Sequence, residues 1–318
     1  MQLVAILLIT VSILTLLSGI AVFFGSTKKD RGRSAWFFAA TIFATLWMVT
    51  ISLFMVATPD WSNSVMTALV DLTYLSAIFI DIALLGYICW RYKAGKITTL
   101  VFLGLGIIYA IVFILNPSLL YTDIKLTTAG NSLVTNIGPF YFTYIAFFCA
   151  LVPAVIITLF RQILESRSSR IKGGDLVLLV GFAISGTVSL VFNLILPLWT
   201  WDYIWLGPLA ISTTIIAVYY TILRYRTLNL NSRWLKVLSY IVIITSIAVL
   251  YMIVFYIIFA AMFRGSTPST EVIVLNFIMV LFFLLLMPAM SELLATIRAL
   301  ISGQSTPKDK ENESKNEK

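Results

Sequence analysis

The amino-acid sequence predicts an all-α fold, a polytopic transmembrane helix bundle of about nine spans. Hydrophobic residues make up 60% of the 318 residues and charged residues only 11%. The mean hydropathy is +0.99, well above the value that the surface of a water-soluble domain tolerates. The longest polar stretches are shorter than the roughly 40 residues that an independently folding domain needs. The composition therefore excludes a soluble catalytic domain.

The first apolar stretch, 1–25, contains no charged residue and is followed by the basic cluster Lys28, Lys29, Arg31 and Arg33. A cleaved signal peptide has the reverse order and a shorter apolar segment. We therefore interpret this stretch as a retained first span. Further apolar runs long enough to cross a bilayer follow at about 35–58, 65–90, 97–116, 139–160, 176–200, 203–223, 236–263 and 272–290.

The basic residues are distributed unequally between alternate connections. Of the 22 Lys and Arg residues, all but Lys125 and Arg264 fall in the connections after odd-numbered spans or in the C-terminal segment. The positive-inside rule then places the N-terminus outside and the C-terminus in the cytoplasm. We expect a multi-pass protein of the plasma membrane, with the lipid bilayer as a partner. Nucleic acid is not an expected partner, because no basic run is interleaved with aromatic residues on a soluble surface.

Residues that commonly carry enzyme chemistry are missing from the sequence. It contains no histidine, which removes imidazole catalysis, His-based metal sites and phosphorylation of this chain on histidine. The two cysteines, Cys89 and Cys149, both lie in apolar runs, so a disulfide framework or a Cys-rich metal site is not expected. Motifs of intramembrane and zinc hydrolases are also absent. We therefore expect no enzyme activity, no metal ion and no cofactor.

Asp71 and Asp81 are the only acidic residues inside the predicted spans, and both lie on the third predicted helix. An aspartate near the middle of a transmembrane helix costs about 2.5 to 3.5 kcal/mol on the insertion scale. Helical geometry separates the two by about 80° around the helix and about 15 Å along it, so they do not share one metal ion. Each has two interpretations: a group in a polar cavity that holds a ligand or a proton, or a hydrogen-bonding group that joins this helix to a neighbour. Candidate partners for the second interpretation are Asn193, Ser185 and Thr187.

Three further residues are candidates for a ligand site. Trp47 is the one tryptophan predicted near the middle of a span, whereas the others lie near span ends, where indole rings prefer the headgroup boundary. Asn193 precedes a short outer turn that contains Asp202, and the aromatic residues of this turn could form a lidded pocket. Interfacial anchoring also explains those aromatic residues. The candidate ligand-binding residues are thus Asp81, Asp71, Trp47, Asn193 and Asp202.

The longest connection on the predicted outer side is 117–138. It is rich in Thr, Asn and Gly, and it contains Tyr121, Asp123 and Lys125. We interpret it as an ordinary loop rather than as a recognition element.

Two segments of the sequence resemble a known family. RGRSAWFFAATIFATLWMVTISLF (31–54) combines an Arg-containing connection with a tryptophan in the middle of a helix, and LGPLAISTTIIAVYYTILRYRTLNL (206–230) ends the seventh helix. A long outer connection before the fifth helix completes the pattern. In these features, residues 1–230 resemble the N-terminal seven-helix (7TM) membrane region of bacterial histidine kinases. The resemblance implies a sensory region that perceives a stimulus and drives a cytoplasmic kinase.

The chain departs from that pattern after residue 230. Residues 231–302 are predicted to form two additional transmembrane helices with a short amphipathic extension, SELLATIRALIS, and 303–318 a disordered cytoplasmic tail. No phospho-accepting helix or ATP-binding domain is recognised. The sequence therefore predicts a sensory or signalling input module that lacks its own kinase and acts through a separate kinase or another membrane protein, with a homo-oligomer possible. A small-solute permease or an accessory subunit of a membrane complex remains open as an alternative.

Overall fold

The computed structural model describes residues 2–58, 61–91, 96–126, 133–165, 169–199, 201 and 203–224. This part of the chain is helical apart from one β-hairpin. The helices are α1 (Gln2–Gly25), α2 (Arg31–Val56), α3 (Asn63–Arg91), α4 (Lys96–Leu115), α5 (Tyr141–Glu165), α6 (Ser169–Leu190) and α7 (Leu206–Arg224).

Each of the first seven predicted apolar runs corresponds to one helix. Polar residues fix several of the helix ends: the Ser62 hydroxyl accepts a hydrogen bond from the Val65 amide at 3.4 Å and so caps the start of α3. Asp30 immediately precedes α2 and forms an ion pair with Arg33, which places a carboxylate at the positive end of the helix dipole.

Five of the helices are long and apolar enough to cross a membrane, and α4 and α7 contain shorter apolar segments, Leu100–Leu115 and Leu206–Ile222. The predicted helical membrane bundle is therefore confirmed in outline. The predicted spans 236–263 and 272–290, the amphipathic extension and the tail lie outside the described residues. The total of nine spans and the orientation in the membrane remain predictions.

The helices pack mainly against their sequence neighbours, α1 on α2, α2 on α3, α3 on α4, α5 on α6 and α6 on α7. Three further contacts connect these pairs, because α7 also packs on α1 and on α2, and α3 packs on α5. Because consecutive helices alternate in direction, the start of α3 and the end of α2 lie at one end of the bundle. We call this end the hairpin end, since it carries the β-hairpin.

The connection 117–138 contains this hairpin, so its interpretation as an ordinary loop was wrong. Strands β1 (Tyr121–Leu126) and β2 (Leu133–Ile137) pair in antiparallel fashion, with Lys125 opposite Val134. At the base of the hairpin, the Gly138 amide donates to the Leu120 carbonyl oxygen at 2.8 Å. The Thr- and Asn-rich composition conceals strands of this kind, because backbone pairing satisfies the amides locally whatever the side chains are.

Asp175 is a buried acidic residue inside a helix that is long and apolar enough to span the membrane. The sequence placed it in a connection, but α6 begins at Ser169, and Asp175 is 0% exposed within the candidate span Lys172–Leu198. The statement that Asp71 and Asp81 are the only acidic residues in a span was therefore wrong. The first two turns of α6 carry charged residues of the kind that is typical of a connection, so the apolar pattern did not show where this helix begins.

Candidate functional site

A cavity lies between five helices in the half of the bundle next to the hairpin end. Its lining comes from α2, α3, α5, α6 and α7, together with residues of the connection between α6 and α7. The empty space, counted out to the open mouth and including space open to solvent, is about 830 Å³. We call it the central cavity.

The structure brings three of the five predicted site residues together in the central cavity. Trp47 contributes from α2, Asp81 from α3 and Asn193 from the end of α6. Asp71 does not line it, and Asp202 lies outside the described residues. That the three residues bind a ligand there remains a prediction.

Aromatic rings form much of the wall of the central cavity. Tyr74 and Tyr144 meet edge to face with their ring centroids 5.4 Å apart, and Tyr144 meets Phe148 in the same way at 4.9 Å. The Tyr144 hydroxyl donates a hydrogen bond to the Tyr74 carbonyl oxygen at 3.2 Å. These contacts fix the rings before any ligand enters. The aromatic lining residues are Trp47, Phe54, Tyr74, Tyr144, Phe148 and Trp201.

Among the described residues that line the central cavity, Asp81 carries the only carboxyl group. The sequence offered Asn193, Ser185 and Thr187 as hydrogen-bonding partners that would make this residue structural. Among the described residues, none of these three hydrogen-bonds to Asp81. The Ser185 hydroxyl instead pairs with Thr214 and with the Phe182 carbonyl oxygen.

Asn193 occupies a π-helical turn, Val191–Ile195, that continues α6. Such turns widen the helix by one residue and leave backbone carbonyls for other partners. Here the Tyr141 hydroxyl donates to the Leu194 carbonyl oxygen at 3.0 Å and so ties the start of α5 to this turn.

The amide of Asn193 packs directly on Gly207, near the start of α7. Any Cβ at Gly207 would overlap the Asn193 side chain, so only glycine permits this approach of the two helices. The Asn193 amide nitrogen is buried and has no hydrogen-bond partner among the described residues. Close by, the Ser189 hydroxyl donates to the Gly207 carbonyl oxygen at 3.2 Å.

Asp71 lies outside the cavity and holds the hairpin to α3. The Tyr121 hydroxyl, at the start of β1, donates to Asp71 Oδ1 at 2.6 Å. The Tyr121 side chain is only 5% exposed, and its ring stacks on Tyr74 with the centroids 6.1 Å apart. Burial raises the pKa of Tyr121 above its ordinary value, and the hydrogen bond and charge of Asp71 raise this pKa further. The phenol therefore remains protonated and able to donate at neutral pH.

Within the described residues, no three His, Cys, Asp or Glu side chains converge where a metal ion could bind. The expectation that the protein uses neither a metal nor a cofactor remains a prediction.

Residues 6–231 match the model of a family described as the N-terminal 7TM region of histidine kinase. The chain belongs to this family. The match confirms the resemblance deduced from the two sequence segments, and it covers the whole described helical bundle apart from the first residues of α1. No curated protein matches the chain significantly. As a member of the 7TM family, the protein is a multi-pass membrane protein with a sensory input region.

Sequence reasoning missed Tyr74 and Tyr144 in this 7TM region, although both line the central cavity. Tyrosines are common in membrane helices, and no pattern separates these two from the rest. The one available signal is that Tyr74 lies on the same helix as both aspartates.

Proposed function

We propose that the 7TM region binds a small molecule in the central cavity and passes the resulting change in helix packing to a partner protein in the cytoplasm. The observation that carries this proposal is the cavity itself, with Trp47, Asp81 and Asn193 on three different helices. A ligand that contacts all three helices stabilises one arrangement of the bundle over others.

The position of the cavity supports a stimulus from outside the cell. The cavity lies in the half of the bundle next to the hairpin, and the distribution of basic residues predicts that this half is the outer one. We propose accordingly that the protein resides in the plasma membrane with nine spans and a cytoplasmic C-terminus. Reporter fusions after Ser34 and Lys172 should report the cytoplasm, whereas a fusion near Gly130 should report the outside.

Contacts between α6 and α7 offer a route out of the cavity. Thr214 on α7 donates to the Gly181 carbonyl oxygen at 3.1 Å and also pairs with Ser185 on α6. A shift of α6 at the cavity therefore moves α7, the last described helix. The 318 residues contain no histidine, so we propose that the phosphoryl-accepting histidine of the signalling pathway lies outside them.

A chimera tests the sensory role. Residues 1–231, which include the whole family match, are joined to the catalytic core of a histidine kinase that lacks its own sensor. Ala77 lines the central cavity, and Ala77→Phe fills part of it. We expect this substitution to change the autophosphorylation rate in membrane vesicles by about fivefold or more, the lower bound of common allosteric couplings.

Ala68→Phe is the matched control, because Ala68 lies on the same helix but is exposed. It should leave the rate unchanged. Equal rates for both variants and the unsubstituted chimera would contradict the sensory proposal. Time-dependent uptake of a solute by proteoliposomes containing the full chain would favour a permease instead.

A further inference from the structure

Where the structure describes it, the lining of the central cavity combines one carboxyl group with a wall of aromatic rings and includes no basic side chain. We infer that it binds a small organic cation, an ammonium group attached to an apolar body. This inference rests on the proposed function, in that it assigns a ligand class to the same cavity.

The charges of the lining residues favour a cationic ligand. Among the described residues of the lining, Asp81 has the only carboxyl group, and none is Lys or Arg. A carboxylate in a low-dielectric site is stable only with a compensating charge or several hydrogen bonds. No described residue supplies such a partner to Asp81. A bound ammonium group supplies both the opposite charge and hydrogen-bond donors.

The aromatic rings of the cavity lining also favour a cation. The faces of Trp and Tyr rings carry negative potential and attract cations, most strongly where water is excluded. Trp47, Tyr74 and Tyr144 line the cavity together with Asp81, and all three rings are buried. An edge-to-face contact between Tyr74 and Tyr144 holds these two rings in place, so binding does not have to order them.

The same residues disfavour other charged ligands. An inorganic cation such as Ca²⁺ requires six to eight oxygen ligands, whereas the described lining residues offer a single carboxyl group. An anion would face Asp81, and no Lys or Arg stands among these same residues to compensate it. An organic cation is the class of charged ligand that uses both the acid and the rings.

Binding to the full chain in lipid nanodiscs tests the inference with four probes of similar size. These are phenethylammonium, trimethyl(phenethyl)ammonium, neutral 2-phenylethanol and anionic phenylacetate. We expect both cations to bind at least about tenfold more tightly than the alcohol, and phenylacetate to bind weakest. Isothermal titration calorimetry or saturation-transfer NMR measures the affinities.

Three substitutions test whether a preference for cations arises in the central cavity. Asp81→Asn keeps the size but removes the charge, and it should reduce cation affinity to that of the alcohol. Asp71→Asn, on the same helix but outside the cavity, should leave all four affinities unchanged. Trp47→Leu should weaken the trimethylammonium probe severalfold with little effect on the alcohol, and it tests the inference independently of whether Asp81→Asn folds.

The outcomes separate this inference from the proposed function. If the alcohol binds as tightly as the cations and Asp81→Asn changes nothing, the organic-cation inference is overturned while the cavity remains a ligand site. If no probe binds, the inference is also overturned, and the chimera assay decides the sensory role by itself. An equal effect of Asp71→Asn and Asp81→Asn would show that charge at the cavity is not what selects the ligand.

Discussion

Asp71 and Asp81 lie on the same helix but have very different surroundings. Asp71 accepts a short hydrogen bond from Tyr121 and joins α3 to the β-hairpin. Asp81 lines the central cavity and has no hydrogen-bond partner among the described residues. Two identical side chains on one helix therefore differ in role: Asp71 is structural, and Asp81 is a candidate ligand-binding residue. A carboxyl group with a partner stabilises the fold, whereas one without a partner is available to a ligand.

Tyr74 contacts both regions, so its removal should have the largest effect. Its ring stacks on Tyr121 and meets Tyr144 edge to face. We expect Tyr74→Ala to reduce the free energy of unfolding by about 3 kcal/mol, as large-to-small substitutions of buried aromatic residues commonly do. Denaturant titration in detergent measures the loss. A loss below about 1 kcal/mol would show that the hairpin and the cavity wall are not coupled through this ring.

Tyr121→Phe should have the next largest effect, because it removes only the hydroxyl that donates to Asp71. We expect a loss of about 1.5 kcal/mol and faster trypsin cleavage after Lys125 within the hairpin. In a double-mutant cycle, Asp71→Asn should add little to Tyr121→Phe.

Tyr109→Phe is the control for Tyr121→Phe. The Tyr109 hydroxyl donates to the Thr143 carbonyl oxygen at 2.9 Å in an exposed contact. Its loss should leave cleavage after Lys125 unchanged. Fully additive effects of Tyr121→Phe and Asp71→Asn would show that the hydrogen bond does not hold the hairpin.

Thr73 lies on α3 between the two aspartates. Its hydroxyl is 2.9 Å from Thr50 Oγ1 on α2 and 2.8 Å from the Leu69 carbonyl oxygen, and it shares its one proton between these two acceptors. We expect Thr73→Val to cost about 0.6 kcal/mol, the typical value for an interhelical hydrogen bond in a membrane protein. Thr67→Val is the matched control, because within the described part of the chain the Thr67 hydroxyl bonds only to the Asn63 carbonyl oxygen on its own helix. Equal unfolding free energies for the two variants would exclude a contribution from the α2–α3 bond.

Asp81→Asn should change stability least of all. Because no described residue hydrogen-bonds to Asp81, its replacement breaks no contact and removes a carboxyl group from an apolar site. We expect the free energy of unfolding to stay within about 0.5 kcal/mol of the original, or to rise slightly, whereas Asp71→Asn should lower it by about 1 kcal/mol. Both values come from the same denaturant titration. A larger loss for Asp81→Asn than for Asp71→Asn would reverse the assignment of the two roles.

The sequence predicted the helices well and the hairpin not at all. An apolar run such as that of α5 predicts its own helix, because a chain in lipid must satisfy its backbone hydrogen bonds within the segment. The hairpin depends on pairing between β1 and β2 and on the docking of Tyr121 onto α3, neither of which leaves a periodic pattern in the sequence. Arg170 and Lys172 lie in the first turn of α6, where the sequence predicted a connection. The helix start, and with it the position of Asp175, was therefore not recognised.

The sequence by itself determined the class of protein, the approximate places of its first seven helices, the family and two of the acidic residues that lie in a span. These follow from composition and local patterns, since a long apolar run predicts a span whatever the run packs against. Only the tertiary structure decided that Trp47, Asp81 and Asn193 line one cavity while Asp71 binds Tyr121. Which side chains meet depends on how each helix is rotated and packed against the others, and that arrangement is fixed by contacts between residues distant in the chain.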